Sequence, residues 1–294
     1  MIFIYTEKFL NYKEEGHPES PERLKAIVDY LRKKGMKEFV EPTPCTEEDL
    51  KLVHTEDLIN SVKNNDFFDP DTPNLPGIYE YAALSVGAAI MAAEFSACGK
   101  NAFSLSRPPG HHAGRNTLGG FCYFNNMAVA VKKLLSTGKK VSVLDLDGHH
   151  GNGTEEILRN FENVIYVSIH QYPAYPGTGS VSFGNCYNFP VYPNSTSKKY
   201  MEKFHQAMEI IKNFNPDIVG ISLGFDAYMH DPLLEMPLSE SEYYFMGKEI
   251  GKLGINFFII LEGGYNIQTI GKTCYCFISG LMKKEENEEN NGNF

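Results

Sequence analysis

Five short apolar runs, each ending in polar and glycine residues, constrain the fold of this chain more than any other feature. Unbroken apolar runs of this length are typical of parallel strands that are buried on both faces. Helix-like stretches separate most of them, and strand–helix alternation predicts a parallel sheet covered by helices on both faces. The predicted strands are residues 102–106, 141–147, 164–170, 217–224 and 255–264.

Amphipathic periodicity predicts the helices. An early helix is expected over residues 21–33, because Pro21 suits a first turn and one face is apolar. The longest apolar stretch, residues 79–95, includes two glutamates and is shorter than 18 unbroken apolar residues, so it predicts a buried core helix and no membrane partner. Further helices are predicted over residues 126–136, 198–213 and 240–253, and a surface loop over residues 64–77.

Composition excludes several classes of protein. Asp and Glu (37) outnumber Lys and Arg (27), which gives a formal charge of −10 and argues against direct nucleic-acid binding. The acidic balance suits a cationic partner such as a polyamine or a basic peptide. No secretory signal is visible, and the six cysteines form no C-x-x-C pair, so we expect reduced thiols in a cytoplasmic protein.

The chain is expected to form one catalytic domain, residues 1–282. The residues with chemistry to offer run from Arg107 to Tyr265 and follow all five predicted strands, so a linker within them would split the site. The last residues, 283–294, are polar and of low complexity, and we expect a disordered tail.

Polar clusters follow the strands in register: RPPGHHA, DLDGHHGNG, SIHQ, GFDA and LEGGYN. Ligands of open α/β sheets bind beyond the carboxyl ends of the strands, so these clusters predict one shared pocket. Asp147 and His149 are two residues apart, which directs both side chains to the same side of an extended chain. With Asp226 they would form a site suited to zinc, although ferrous iron or cobalt would also fit. Taken alone, Asp147 could instead cap a helix.

The adjacent histidines His111 and His112 suggest metal ligands or an acid–base pair. In one arrangement, His111 would donate to Asp145 and His112 to Asn152. A carboxylate partner raises the pKa of an imidazole far more than an amide does. We therefore hypothesise that His111 is cationic, while His112 is neutral and acts as the general base and later the acid. Alternatively, one of the two is structural.

Tyr265 follows Glu262, Gly263 and Gly264, where the glycines allow a sharp turn after a strand. Its hydroxyl could donate to an oxyanion that forms on a carbonyl substrate. The alternative is a core tyrosine in a chain that contains 17 of them.

Together with GHPESPERL, GFCYFNN and YPGTG, these motifs closely resemble the histone deacetylase superfamily, which includes acetylpolyamine amidohydrolases and acetoin-utilisation proteins. The resemblance runs from His17 to Asn266, and the GNG containing Asn152 is more similar to the class II branch. It implies a three-layer α/β/α fold, related to arginase, with an eight-stranded parallel sheet. It also implies a metal-dependent hydrolase that removes acetyl groups from acetyl-lysine in proteins or from acetylpolyamines.

The resemblance assigns a role to each candidate residue. Zinc would be held by Asp147, His149 and Asp226. His111 and His112 would be the acid–base pair, Asp145 and Asn152 their partners, and Tyr265 the residue that polarises the carbonyl. A structural potassium ion would use the side chains of Asp145 and Ser168 and main-chain oxygens of Asp147, His149 and Ile169. The walls of the acyl-lysine tunnel would be Gly120, Phe121 and Tyr175, with Leu233 at its rim and Asp71 as a candidate contact to the substrate backbone.

Two alternatives stay open. An arginase-like ureohydrolase with two manganese ions needs additional bridging carboxylates, but Tyr228 stands two residues after Asp226, which favours one metal. A non-catalytic acyl-lysine-binding scaffold would lack a ligand or the tyrosine, and here both are present. The sequence does not determine the oligomeric state.

Overall fold

Eight strands form a single parallel sheet within residues 1–283, the part of the chain that the computed structural model describes. Their order across the sheet is β2-β1-β3-β8-β7-β4-β5-β6. All neighbouring pairs are parallel, so the carboxyl ends of the strands share one edge, as the sequence predicts. The strands are β1 (Ile2–Ile4), β2 (Phe39–Val40), β3 (Ala102–Ser104), β4 (Val141–Asp145), β5 (Val164–Gln171), β6 (Cys186–Val191), β7 (Ile218–Leu223) and β8 (Asn256–Leu261).

Helices cover both faces of the sheet and complete a three-layer α/β/α fold. On one face α4 packs against β3 and β8, α5 against β4 and β7, and α6 against β5. On the other face α7 packs against β5 and β6, and α7, α8, α9 and α1 contact one another in that order. The helices are α1 (Pro21–Lys33), α2 (Glu47–Lys51), α3 (Glu56–Lys63), α4 (Ile78–Ala97), α5 (Asn126–Ser136), α6 (Asn152–Leu158), α7 (Ser197–Phe214), α8 (Glu240–Gly251) and α9 (Ile270–Met282).

Local signals explain where the predicted helices begin. Pro21 is the first residue of α1, and the apolar face of that helix is buried. The side chain of Asn125 caps α5 by accepting from the N–H of Ala128. Ser239 and Glu242 form a capping box at the start of α8.

Helix α4 is the buried core helix that the sequence predicts. Within the described residues it alone is long and apolar enough, by length and composition, to cross a membrane. However, 67% of its most apolar window is buried inside the fold, where α4 packs against β3, β8 and α5. We therefore interpret it as the central helix of one layer.

Four of the five predicted strands extend too far at their carboxyl ends, whereas β5 continues one residue beyond its predicted end, to Gln171. β4 ends at Asp145 and not at 147, and β8 ends at Leu261 and not at 264. The next N–H groups, of Leu146 and Glu262, still donate to carbonyl oxygens of β7, and after them backbone N–H groups bond to carboxylates. The N–H of Asp147 donates to Asp145 (3.1 Å), and that of Gly263 donates to Asp147 (2.8 Å). The apolar runs therefore continue into the loops that build the site.

Residues 64–77, the predicted surface loop, contain only turns, bends and irregular backbone and no helix or strand, as expected. The predicted disordered tail, residues 283–294, lies outside the described residues except for Lys283, so that prediction stays a prediction.

Candidate active site

The predicted metal ligands meet at the carboxyl edge of the sheet. Ligand atoms of Asp147, His149 and Asp226 all lie within 4.8 Å of one another. Nδ1 of His149 is 2.6 Å from Oδ2 of Asp226 and 3.4 Å from Oδ1 of Asp147. Both carboxylates are fully buried. Buried carboxylates with one imidazole are a donor set that fits a borderline divalent cation such as zinc.

The backbone around these ligands leaves no room for extra side chains. A Cβ atom on Gly224 would lie 2.1 Å from Oδ2 of Asp147, and one on Gly263 would lie 2.7 Å from the same atom. The N–H of Gly148 donates to Oδ1 of Asp226 (2.7 Å), while Oδ1 of Asp147 accepts from the N–H of His149 (2.9 Å). Glycines and backbone hydrogen bonds thus hold both carboxylates in place.

The pKa values of the three ligands are shifted in different directions. Burial opposes ionisation of Asp147, but His111 and His149 hold its pKa well below its usual range. Burial and the nearby charge of Asp147 raise the pKa of Asp226 to about 6. Burial likewise opposes the positive charge of His149, but hydrogen bonds to the two carboxylates raise its pKa to about 10. A cation bound here would displace the proton of His149.

The tandem histidines lie beside this cluster, with ring centres 4.0 Å apart. Nδ1 of His111 is 3.2 Å from Oδ2 of Asp145, and Nδ1 of His112 is 2.8 Å from Oδ1 of Asn152. These are the partners considered from the sequence. The hydroxyl of Tyr166 also donates to Oδ2 of Asp145 (2.9 Å), which the sequence did not suggest.

The pKa values of the two histidines differ in the direction hypothesised. Burial alone would lower the pKa of His111, but the carboxylates of Asp147 and Asp145 raise it to about 10. Burial and the charges of His111 and His149 hold the pKa of His112 well below its usual range. One imidazole is therefore cationic and its neighbour neutral at pH 7.

The hydroxyl of Tyr265 lies near both carboxylates of the metal cluster. A Cβ atom on Gly263 would be 3.1 Å from the hydroxyl of Tyr265 and 3.0 Å from Oδ2 of Asp226. The backbone N–H of Tyr265 donates to Oδ2 of Asp231 (2.7 Å), and its ring packs edge-on to Phe121, with ring centres 5.8 Å apart. The hydroxyl therefore faces the carboxylates that would hold the metal.

The predicted tunnel residues surround the approach to His112. The ring of Tyr175 lies edge-on to His112 at 5.0 Å, and a Cβ on Gly120 would collide with both rings. Phe121 has a φ of 70°, a left-handed conformation that aromatic residues rarely adopt, and its N–H donates to Thr72 (3.0 Å). Leu233 is 41% exposed, which agrees with a rim position.

The candidate rim residue Asp71 is exposed, and its carbonyl oxygen is 3.1 Å from Nε2 of His17. Sequence reasoning missed its neighbour Asp69. A Cβ on Gly119 would be 3.4 Å from Oδ2 of Asp69 and 3.3 Å from the hydroxyl of Tyr175. Of the two carboxylates, that of Asp69 is therefore nearer than that of Asp71 to the tunnel wall at Gly119 and Tyr175.

The structure places side by side the two residues whose side chains are expected to hold potassium. Asp145 and Ser168 are paired across β4 and β5. Oδ1 of Asp145 accepts from the N–H of Asp147, and Ser168 bonds through Oγ to Nδ1 of His170 (2.8 Å). Ile169 follows in β5, and His149 continues the loop after β4.

Sequence reasoning also missed Glu262, a buried carboxylate below the tandem histidines. Its Oε2 accepts from the N–H groups of Gly110 (2.8 Å) and His111 (3.3 Å), and its Oε1 from Ser222 (2.9 Å). The only available signal was a charged residue at the end of an apolar strand.

Comparison with known proteins agrees with this geometry. The histone deacetylase domain family matches residues 17–281. A probable deacetylase of Archaeoglobus fulgidus is 35% identical over 293 residues, covering 90% of this chain and 81% of the relative. The crystal structure of the HDA15 HD domain has a TM-score of 0.91 at 34% identity and covers 97% of this chain and 91% of that chain. An acetylpolyamine aminohydrolase from Burkholderia pseudomallei has a TM-score of 0.85 at 26% identity, covering 96% and 98%.

The family match covers most of the chain, and the similarity to relatives extends along nearly all of it. Two further relatives are named acetylpolyamine amidohydrolases. The family implies a metal cofactor, and the Asp–His–Asp cluster offers a donor set for one. This chain therefore belongs to the histone deacetylase family and is an amide-bond hydrolase.

Proposed function

We propose that this chain is a zinc-dependent deacetylase of acetylated amines. The observation that carries the proposal is the shared pocket of a neutral His112 and the cluster formed by Asp147, His149 and Asp226. The rings of His112 and His149 are 6.1 Å apart. A bound zinc would supply Lewis-acid polarisation of the acetyl carbonyl and acidify water.

His112 is oriented to take a proton from the attacking water. The side-chain amide oxygen Oδ1 of Asn152 can only accept, so Nδ1 of His112 carries the hydrogen and Nε2 keeps its lone pair. After attack on the acetyl carbon, the protonated His112 gives its proton to the departing amine. His111, cationic beside Asp145, stabilises the negative charge that develops next to it.

Tyr265 donates a hydrogen bond to the acetyl oxygen as that oxygen gains negative charge. Its phenol is neutral at pH 7, because burial raises its pKa well above the usual range. Loss of one such donor typically lowers the rate about 10²–10³-fold. Phe121 and Tyr175 would flank the aliphatic chain of the substrate and exclude water from it.

The substrate is acetyl-lysine in proteins or an acetylated polyamine. Both present an acetyl amide at the end of an alkyl chain, which fits a tunnel walled by Phe121 and Tyr175. Similarity to an acetylpolyamine aminohydrolase supports the small amine. Exposed apolar side chains at the rim, such as Leu233, support a peptide instead. We also propose that potassium binds at Asp145 and Ser168, and that Asp71 contacts the substrate backbone.

The test is a deacetylation assay with purified protein reconstituted with zinc, with Tyr265→Phe as the matched control. We expect one zinc per chain, turnover of an acetyl-lysine peptide or of acetylspermidine, and at least a tenfold loss in the control. Turnover of acetylspermidine alone would identify a polyamine amidohydrolase. Two manganese ions per chain, or turnover that Tyr265→Phe does not change, would contradict the proposal.

A further inference from the structure

Glu19, far from the predicted strands in sequence, sits between two buried arginines. Its carboxylate accepts from Nε and Nη2 of Arg107, at 2.5 and 2.8 Å, in a bidentate pair. It also accepts from Nη1 of Arg23 (2.9 Å) and from the hydroxyl of Tyr12 (3.0 Å). All three charged side chains are buried. Such an arrangement fixes the two guanidinium planes relative to each other.

Arg23 links Glu19 to the loop that holds Tyr265. Its Nε donates to the carbonyl oxygen of Gly264 (2.5 Å) and its Nη2 to that of Glu262 (2.6 Å). Its guanidinium carbon lies 4.8 Å from the centre of the Tyr265 ring. The same guanidinium thus holds the backbone before the tyrosine and contacts its ring face.

Arg107 links Glu19 to the tandem histidines, because it is the first residue of RPPGHH, the segment that ends in them. Its Nη1 donates to the carbonyl oxygen of Phe9 (2.8 Å), so its side chain is anchored on the N-terminal segment. The two loops meet again at Glu262, whose side chain accepts from the N–H of His111 and whose carbonyl accepts from Arg23. Glu19 is the residue that joins both sides of this closed network.

We propose that Glu19 is a positioning residue for the deacetylation reaction: through Arg23 it places the hydroxyl of Tyr265, and through Arg107 it places the loop of His111 and His112. The inference rests on the proposed function for its kinetic consequences. The carboxylate of Glu19 bonds to Arg107, Arg23 and Tyr12 and not to a metal ligand or a tandem histidine, so we expect its effect on kcat rather than on substrate binding. A displacement of about 1 Å at a reacting group can cost about 10²-fold in rate.

The test compares the parent with Glu19→Gln, Tyr265→Phe and the double variant, in zinc-loaded protein with an acetyl-lysine peptide and with acetylspermidine. We expect Glu19→Gln to lower kcat about 10–100-fold, with KM within about threefold. In the Tyr265→Phe background, the fold loss in kcat caused by Glu19→Gln should be at least three times smaller, because part of its effect acts through the tyrosine. Equal losses in both backgrounds, or an unchanged kcat, would overturn the proposal.

The matched control is Asp29→Asn. Asp29 pairs with Lys25 at the same i,i+4 spacing as Glu19 and Arg23. In the Lys25–Asp29 pair, however, both side chains are more than half exposed. We expect no change in kcat from this variant. If Glu19→Gln does not fold, Glu19→Asp replaces it, since it keeps the charge but withdraws the carboxylate from the arginines.

A second readout does not depend on activity. Crystal structures of the parent and of Glu19→Asp would give the distance from the Arg23 guanidinium to the Tyr265 ring, 4.8 Å in the parent. We expect this distance to lengthen, and an unchanged position of Tyr265 would overturn the proposal. If the parent hydrolysed neither substrate, the proposed function would fail, while this comparison would still decide the role of Glu19.

Discussion

At the scale of single residues, the site depends on giving two adjacent imidazoles opposite properties. His111 faces the carboxylate of Asp145 and lies near Asp147, whereas His112 faces the amide oxygen of Asn152. Burial disfavours the cationic form of both rings, but the carboxylates of Asp147 and Asp145 outweigh it and raise the pKa of His111. At His112 the charges of His111 and His149 add to burial and lower the pKa. The sequence suggested this pairing as one arrangement, and both partners stand in one short motif, DLDGHHGN.

We expect His112→Ala to lower kcat more than His111→Ala does. Loss of a general acid–base group typically costs about 10²–10⁴-fold in rate, whereas His111 contributes only charge. The measurement is kcat for each variant, at zinc contents confirmed to equal that of the parent. If His111→Ala abolished turnover and His112→Ala barely mattered, the assignment would be wrong.

Metal affinity should rise with pH, because the ligands must lose protons to bind. In the metal-free chain the pKa is about 10 for His149 and about 6 for Asp226. Between pH 6.5 and 9 one proton, from His149, leaves for each ion bound, so zinc affinity should rise about tenfold per pH unit. Below pH 6 the proton of Asp226 must also leave, and the slope should steepen.

Competition with a chelator at several pH values gives this affinity, and calorimetry in two buffers gives the number of protons released. An affinity that does not depend on pH would contradict the pKa assigned to His149. His149→Ala serves as the control, because it should weaken binding and remove the proton release between pH 6.5 and 9.

At the scale of elements, the loop that joins α3 to α4 lies beside the predicted wall of the tunnel. The loop over residues 64–77 is held by its own side chains: Asn74 donates to the carbonyl oxygens of Asn65 and Phe67, both at 2.9 Å. Phe67 packs against Tyr123, while the next residue, Phe68, is 90% exposed. Asp69, one residue later, lies near the hydroxyl of Tyr175. Phe68 is therefore presented to solvent beside the mouth of the tunnel.

We expect Phe68→Ser to raise KM for an acetyl-lysine peptide with apolar neighbours about 3–10-fold, with kcat unchanged. The estimate assumes that a bound peptide covers part of the ring, at about 25 cal/mol per Å². Acetylspermidine, which lacks such neighbours, should be unaffected. The measurement is KM and kcat for both substrates.

Phe183→Ser is the matched control, since Phe183 is 60% exposed but precedes β6, near its amino end. It should leave KM for both substrates unchanged. An equal effect of Phe68→Ser on the peptide and on acetylspermidine would show that the ring does not read the residues beside acetyl-lysine.

Elements differ in how far the sequence predicts them. Helices α1 and α5 have the predicted bounds, because capping residues and apolar faces mark them. The strands β1, β2 and β6 were missed, since the first two are only three and two residues long and β6 contains Pro190. Short strands owe their stability to pairing with neighbours, which a single sequence does not display.

At the scale of the whole molecule, the sheet brings together residues that are far apart in the chain. Polar clusters at strand ends sufficed to predict that Asp147, Asp226, His112 and Tyr265 share a pocket, because the carboxyl ends of parallel strands meet. The number of strands was supplied only by resemblance, and the order of the strands across the sheet was not predicted. The network around Glu19 was not foreseen, since the bonds between Glu19 and Arg107 span 88 positions and no periodicity marks them.

The position of β8 also has a consequence for how the chain is made. β8 comes last in chain order among the described strands, yet it pairs with β3 on one side and β7 on the other. Until the ribosome has synthesised β8, nothing can fill the place between β3 and β7. The edges of β3 and β7 that face this place stay unpaired. Nascent chains that end before residue 256 should therefore bind chaperones or aggregate, and the catalytic pocket can form only after translation has passed Tyr265.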